Sequence, residues 1–187
     1  IVDDIVVRRF PVRRRDTAAF DRVNRKLMQG QRLSLQEEQT FVEEMVNSPQ
    51  LYEYMLDSSD DYSLYVFIPY MFGTTYFGMQ ICPEKSVLIP CFHDEAYLYL
   101  RLFRQAYIQA RGMIYNAMPE MELAGRVYDF SSTEQICMGI GMDTDLHPDA
   151  EAFRKAYHIE KPFLLYAGRK DTGKNVHTLL RLSLIHI

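Results

Sequence analysis

Over residues 1–61 the apolar positions recur at intervals of three and four, and from residue 62 onward they bunch into short unbroken runs, so the chain changes rhythm once. The first kind of spacing gives a helix one apolar face, whereas a short unbroken run describes a strand covered on both sides. Three helices are predicted from the first stretch. Asp16 is placed to cap a helix over Ala18 to Met28 that Gly30 closes. Ser34 and Glu37 have capping-box spacing ahead of a helix with Phe41, Met45 and Val46 on one face, and Ser48-Pro49 supplies the N-cap and first-turn proline of a third helix carrying Leu51, Tyr54 and Met55. All three faces read as packing surfaces.

Beyond residue 62 the apolar runs Tyr62 to Pro69, Val87 to Pro90, Gly112 to Tyr115, Ile136 to Ile140 and Pro162 to Ala167 read as strands. Between them lie helix candidates at Thr74 to Ile81, Ala96 to Gln109, Pro119 to Tyr128 and Ala150 to Tyr157. Such alternation predicts an α/β chain: a parallel sheet with helices on both faces, right-handed crossovers, and a ligand crevice at the carboxyl ends of the strands. Glycine, proline and acidic residues concentrate over 141–149, which marks the joint between two domains.

Composition narrows the function classes. With 48% hydrophobic and 25% charged residues the 187-residue chain has the make-up of a globular protein, and its net charge of -4 excludes a duplex nucleic-acid binder. The one basic run, Arg8-Arg9 with Arg13-Arg14-Arg15, reads as a solvated strand edge and turn, with an acidic membrane surface as the alternative partner. Cys82, Cys91 and Cys137 are scattered, so neither a disulfide framework nor a zinc site is indicated, and a reducing cytoplasm is the expected compartment. The longest apolar stretch, Leu64 to Phe72, is far short of the roughly 20 residues of a membrane-spanning helix. Ile1 follows no initiator Met or signal-type segment, which reads as the interior of a reading frame. Leu182 to Ile187 match one translated frame of a transposase-based sequencing adapter, and the expectation is that residues 182–187 are library read-through.

The segment with most chemical content is Phe163 to Val176, an apolar run followed by a glycine-bearing basic loop and a helix start. Gly168 and Gly173 allow close backbone approach, Arg169 and Lys174 offer cationic donors, and a helix N-terminus adds unpaired N–H groups, which together make an anion site. Gly168 to Asn175 misses the Walker A pattern only at its last position, where Asn175 replaces the magnesium-binding hydroxyl, so a P-loop-like nucleotide-binding protein is one reading.

The same segment resembles the G-R-x-x-x-x-K-G signature of family-4-like GT-B glycosyltransferases (glycosyl transferases group 1), with Arg169 and Lys174 at matching positions. Lys85 to Glu95 resembles that family's strand ending in a His-Asp pair, here His93-Asp94. Ala110 to Glu120 resembles its strand-to-helix segment, with Asn116 where serine is commoner, and Ile136 to Asp143 resembles the stretch leading out of its first domain. The four segments span residues 62–181 in the family's order.

The resemblance implies GT-B architecture, with parts of two Rossmann-like parallel-sheet domains, incomplete at both ends. Residues 1–61 would be a mostly helical segment of the acceptor-side domain, 62–144 its Rossmann-like remainder, and 145–181 the start of the donor-binding domain. It implies a retaining transfer of a sugar from a nucleotide-sugar donor to a glycan, lipid-linked or small-molecule acceptor, with no cofactor and no required metal. Arg169, Lys174 and Gly168 would hold the donor diphosphate, His93 would act catalytically across the cleft, and Asp94 and Glu120 would stand in the acceptor side of the cleft. The family's glycine-rich loop is expected before Ile1 and its acidic pair beyond Leu180, so the piece alone is expected to be inactive. Asp94 and Glu95 have the alternative of capping the next helix. Asp143-Thr144-Asp145 with His147 imitates a metal motif but sits at the domain joint. A third reading is a non-catalytic Rossmann-like binding module.

Overall fold

A computed structural model describes residues 4–170 and 174–186. The chain divides into two compact units, Ile1–Gly141 and Met142–Ile187.

The first unit opens with the three expected helices, α1 (Thr17–Met28), α2 (Leu35–Glu43) and α3 (Pro49–Asp57). The capping residues act as their spacing suggests. Asp16 accepts the Ala19 N–H at 2.9 Å, and Ser34 and Glu37 exchange both bonds of the capping box. Lys26, in the last turn of α1, reaches Glu37 in the first turn of α2 at 2.5 Å, which ties the two helices together. Ser48 occupies the N-cap position of α3, but its hydroxyl donates to the Pro11 carbonyl at 2.8 Å and so anchors the N-terminal segment.

Four parallel strands follow, β1 (Tyr65–Phe67), β2 (Ser86–Leu88), β3 (Gly112–Tyr115) and β4 (Glu134–Cys137), lying side by side in chain order. The crossovers carry α4 (Gly73–Gly78), α5 (Arg101–Tyr107) and α6 (Met118–Val127). This α/β architecture is the expected one, but the helices are not distributed as expected. When strand order equals chain order every crossover steps the same way, so right-handed connections stack all their helices on one face. On that face Leu88, Met113 and Tyr115 are completely buried. On the other, Val66, Ile68 and Ile136 are more than half exposed, and Val87, Ile89 and Ile114 are only half-buried. Strand runs that read as covered on both sides are therefore covered on one.

The N-terminal helices add an outer layer over α4 and α5 instead of closing the open face. Phe41 of α2 stacks between Phe20 and Tyr97, with ring centroids 5.2 and 5.3 Å away, and meets the edge of Phe103 of α5. Gly73 is the residue that permits α4 to lie against α2, because a Cβ there would sit 2.7 Å from the Val42 carbonyl oxygen.

Three element boundaries differ from the sequence reading. The single helix over Ala96 to Gln109 is a 3-10 turn, Ala96–Tyr99, followed by α5, with Leu100 extended between them. The break has a physical cause in α2: the buried Glu38 carboxylate accepts the Leu102 N–H at 3.0 Å and pairs with Arg101 at 2.8 Å, capping a helix that starts late. The fourth strand begins at Glu134 and ends at Cys137, where the run Ile136 to Ile140 had placed it two residues later.

The third difference lies in the second unit. It contains α7 (Ala150–Ala156), capped by Asp149, and α8 (Val176–His186), which runs through residues 182–186 without interruption. Pro162 to Ala167, the expected fifth strand, forms no ladder, and Leu164 and Leu165 are 65% and 74% exposed. A strand needs a neighbour to accept its backbone bonds, and no described strand pairs with this one. What holds the segment is local: Phe163 stacks on Phe153 of α7 at 6.1 Å, and the Arg154 guanidinium lies 5.5 Å over the Phe163 ring.

Candidate functional site

The most informative site lies where β2 and β3 leave the sheet. Because these strands are parallel neighbours, their carboxyl ends open on the same edge. After β2 the chain turns at Cys91, whose φ of 55° is in the left-handed region, and runs on through Phe92, His93 and Asp94. After β3 it passes Asn116 and enters α6.

Glu120, in the first turn of α6, joins the two exits. It is 9% exposed, and its carboxylate oxygens accept the Phe92 N–H and the Asn116 N–H, each at 2.8 Å. Asn116 in turn donates its side-chain amide to the Cys91 sulfur at 3.5 Å. The Phe92 ring is clamped between Tyr128, stacked at 5.2 Å, and the edge of Tyr70 at 5.0 Å. A buried carboxylate and a buried ring therefore fix the backbone immediately before an exposed imidazole. Among the described residues the exposed His93 side chain has no hydrogen-bond or ion-pair partner.

These residues line a cavity of about 400 Å³ that includes Cys91, His93, Asp94, Asn116, Pro119 and Glu120. Its charged lining is acidic, with two carboxylates and no lysine or arginine. An acidic mouth with one imidazole suits a hydroxyl-rich or cationic molecule better than an anion, since carboxylates only accept hydrogen bonds when ionised. Burial and the nearby Glu120 charge push the Cys91 thiol up, which keeps it a thiol at neutral pH and an unsuitable nucleophile.

Asp94 and Glu95 do not cap the turn that follows. Asp94 accepts the Tyr99 hydroxyl at 2.6 Å, and Glu95 accepts the Tyr70 hydroxyl at 2.8 Å. Burial first, and the Glu95 carboxylate second, raise the Tyr70 phenol far above its usual range, so the hydroxyl stays protonated and able to donate at neutral pH.

His93, Asp94 and Glu120 are thus brought together in the first unit. Gly168, Arg169 and Lys174 lie in the second, where Arg169 and Lys174 are exposed. Tyr166 folds back so that its hydroxyl donates to the Arg169 carbonyl at 3.0 Å, and a Cβ on Gly168 would lie 2.8 Å from that hydroxyl oxygen. Gly173 falls outside the described residues. Among the described residues the segment leading into this loop, Pro162 to Ala167, is unpaired and exposed instead of being a buried strand.

The arginine run is partly structural. Arg13 donates to the Glu43 carbonyl at 2.6 Å and pairs with Glu44 at 3.0 Å, and Arg15 donates to the Glu44 carbonyl, so both serve the carboxyl end of α2, where the helix dipole favours cations. Among the described residues no helix is long and apolar enough to cross a membrane, and no group of three or more potential ligands is placed to hold a metal ion. Asp145 pairs with His147 at 3.3 Å, both almost fully exposed.

One feature escaped the sequence reading, a larger cavity of about 630 Å³ beside β1 that includes Val6, Arg8, Tyr54 and Val66. The sequence reading had taken Arg8 only as part of a solvated basic run. The class these observations define is an α/β protein with a parallel sheet and a cavity at the strand ends. Comparison with protein-family models, with curated proteins and with solved structures returns no match to this chain.

Proposed function

We propose that this chain is part of a retaining GT-B-type glycosyltransferase that moves a sugar from a nucleotide-sugar donor to a hydroxyl-bearing acceptor. In this reading residues up to about the joint near 145 belong to the acceptor-side domain and the remainder begins the donor-side one. The observation that carries it is the exposed His93 beside Asp94 at the carboxyl end of a parallel strand, in a cavity whose only charges are carboxylates. Sugar hydroxyls are donors as well as acceptors, and such a mouth accepts from them.

The division of labour follows from charge. His93 and Asp94 bind and orient hydroxyls of the transferred sugar or acceptor, with the imidazole near the reacting carbon. Glu120 holds the two loops that carry them. Arg169 and Lys174 stabilise the negative charge that grows on the departing nucleoside diphosphate, an electrostatic role that requires no metal. Each charged hydrogen bond lost from the transition state costs about 1.5–3 kcal/mol, which corresponds to about ten- to a hundredfold in rate.

The test is turnover of a panel of nucleotide sugars by the longest reading frame that contains these residues. Sugar transfer that persists in a chelator and falls at least about tenfold in both His93→Ala and Lys174→Ala supports the assignment. Magnesium-dependent ATP hydrolysis that is indifferent to His93→Ala refutes it.

A further inference from the structure

β1 is the outer strand of the sheet, and its free side has the features of a pairing site. The Phe67 carbonyl accepts the Ile89 N–H at 2.9 Å, so the backbone groups of Phe67 face β2. Successive residues of a strand alternate in the direction of these groups, which turns the N–H and C=O of Val66, at the middle of the three-residue β1, to the opposite side. Among the described residues nothing pairs with them. Pro69 has no N–H, so the run of pairing groups ends at Ile68.

Against that edge lies the 630 Å³ cavity, lined by Val6, Phe10, Tyr54, Met55, Tyr65 and Val66 among others. Its lining is apolar and aromatic, with Arg8 as the one charged residue and no carboxylate. Arg8 is held in place, its guanidinium 5.2 Å over the Tyr54 ring, and Tyr54 shares a 2.5 Å hydrogen bond with Tyr62. Val66 and Ile68 are 57% and 60% exposed at the same edge.

We propose that this groove receives an extended peptide segment, which pairs with the open edge of β1 as a further strand and sets an acidic residue against Arg8. The backbone decides the class of occupant. A line of alternating donors and acceptors is satisfied by another extended backbone, whereas an acyl chain or an aromatic ring would cover the apolar walls and leave those groups unpaired. The charge decides the polarity of the segment: a groove with one cation and no anion favours a carboxylate at one point along it. The length of β1, Tyr65–Phe67, limits the paired portion to a few residues, and side chains at alternate positions fill the apolar walls.

The experiment uses the whole chain and a fluorescein-labelled hexapeptide that alternates valine and threonine and carries one terminal glutamate. Two further versions of the peptide are N-methylated on alternate amides, one on the odd and one on the even positions. Strand addition predicts that one of these versions binds as the parent does and the other fails, because only one set of amides faces β1. Val66→Pro, which removes an outward N–H without entering the buried face, lowers affinity at least about tenfold, with an unchanged melting temperature showing that the fold survives. Arg8→Glu, at an exposed position, weakens the glutamate peptide about two- to fivefold and favours a lysine version. The proposal is overturned if both N-methylated peptides bind like the parent, if none binds at millimolar concentration, or if the chain self-associates through β1 and the peptide does not compete. The N-methylated pair decides the matter even where Val66→Pro fails to fold.

Discussion

The two units of this chain are built from the same kinds of segment and reach different ends. In Ile1–Gly141 apolar runs become strands with partners, and Phe41, Tyr70, Leu88, Phe103 and Met113 lose all contact with water. In Met142–Ile187 no described residue is buried, and the run Phe163-Leu164-Leu165 stays exposed and unladdered although it is as apolar as any strand of the first unit. The difference is not local propensity but the supply of a second surface. β2 and β3 have strands on both sides and a helical layer beneath, whereas the aromatic and cation contacts of Phe163 among the described residues are the Phe153 ring and the Arg154 guanidinium of one seven-residue helix. An amphipathic or apolar segment contributes stability only in proportion to what covers it.

Core truncations should separate the units most sharply. Phe103→Ala removes a ring that touches Phe41, Tyr70, Tyr76 and Tyr107, and should destabilise the first unit by about 3–5 kcal/mol in urea unfolding. Phe163→Ala, at a 43% exposed position, should change stability by no more than about 0.5 kcal/mol. Equal effects would erase the contrast.

Buried carboxylates come next. Glu38→Gln keeps the shape but loses the charge that caps α5 and pairs with Arg101, for about 2–3 kcal/mol. Glu120→Gln leaves one carbonyl oxygen for two backbone donors, so either the Phe92 or the Asn116 N–H loses its partner, for about 1–2 kcal/mol. Its amide resonances should shift with it, loosening the loop that carries His93. The comparable change in the second unit, Asp145→Asn beside His147, should be silent because both side chains are about 90% exposed.

The smallest effect is a titration. The Lys26 ammonium and the Ser34 backbone hold the Glu37 carboxyl down to about 2, from an ordinary value of 4.5. A depressed folded-state pKa means stability that is complete above the unfolded value and fades as pH falls from about 4.5 toward 2. The carboxyl resonance of Glu37, followed by NMR, should show its midpoint near that lower value, and Lys26→Met should raise it.

Much of the first unit was legible because its signals are local. Asp16, Ser34 and Glu37 cap where their spacing says, and the class of sheet follows from alternation of runs and helices. The gathering of His93, Asp94 and Glu120 was legible for the same reason, since each sits just after a parallel strand or at the start of the next helix. Tertiary facts were not. Nothing in Ala96 to Gln109 announces that Glu38, more than sixty residues upstream, restarts the helix at Arg101. Nor can an apolar run state whether both its faces will be covered: Val66, Ile68 and Ile136 have the same character as Leu88 and Met113, and only strand order decides which side receives the helices. The expected fifth strand shows the same limit, because Pro162 to Ala167 has the composition of a strand and no neighbour among the described residues.

Native-state hydrogen exchange resolved by residue tests the contrast most directly. The amides of β2 and β3 should exchange only through global unfolding, while those of residues 163–167 should exchange almost as fast as an unstructured peptide. Protection of residues 163–167 equal to that of Met113 and Ile114 would mean that this segment is a paired strand after all, and the account of two unequal units would be wrong.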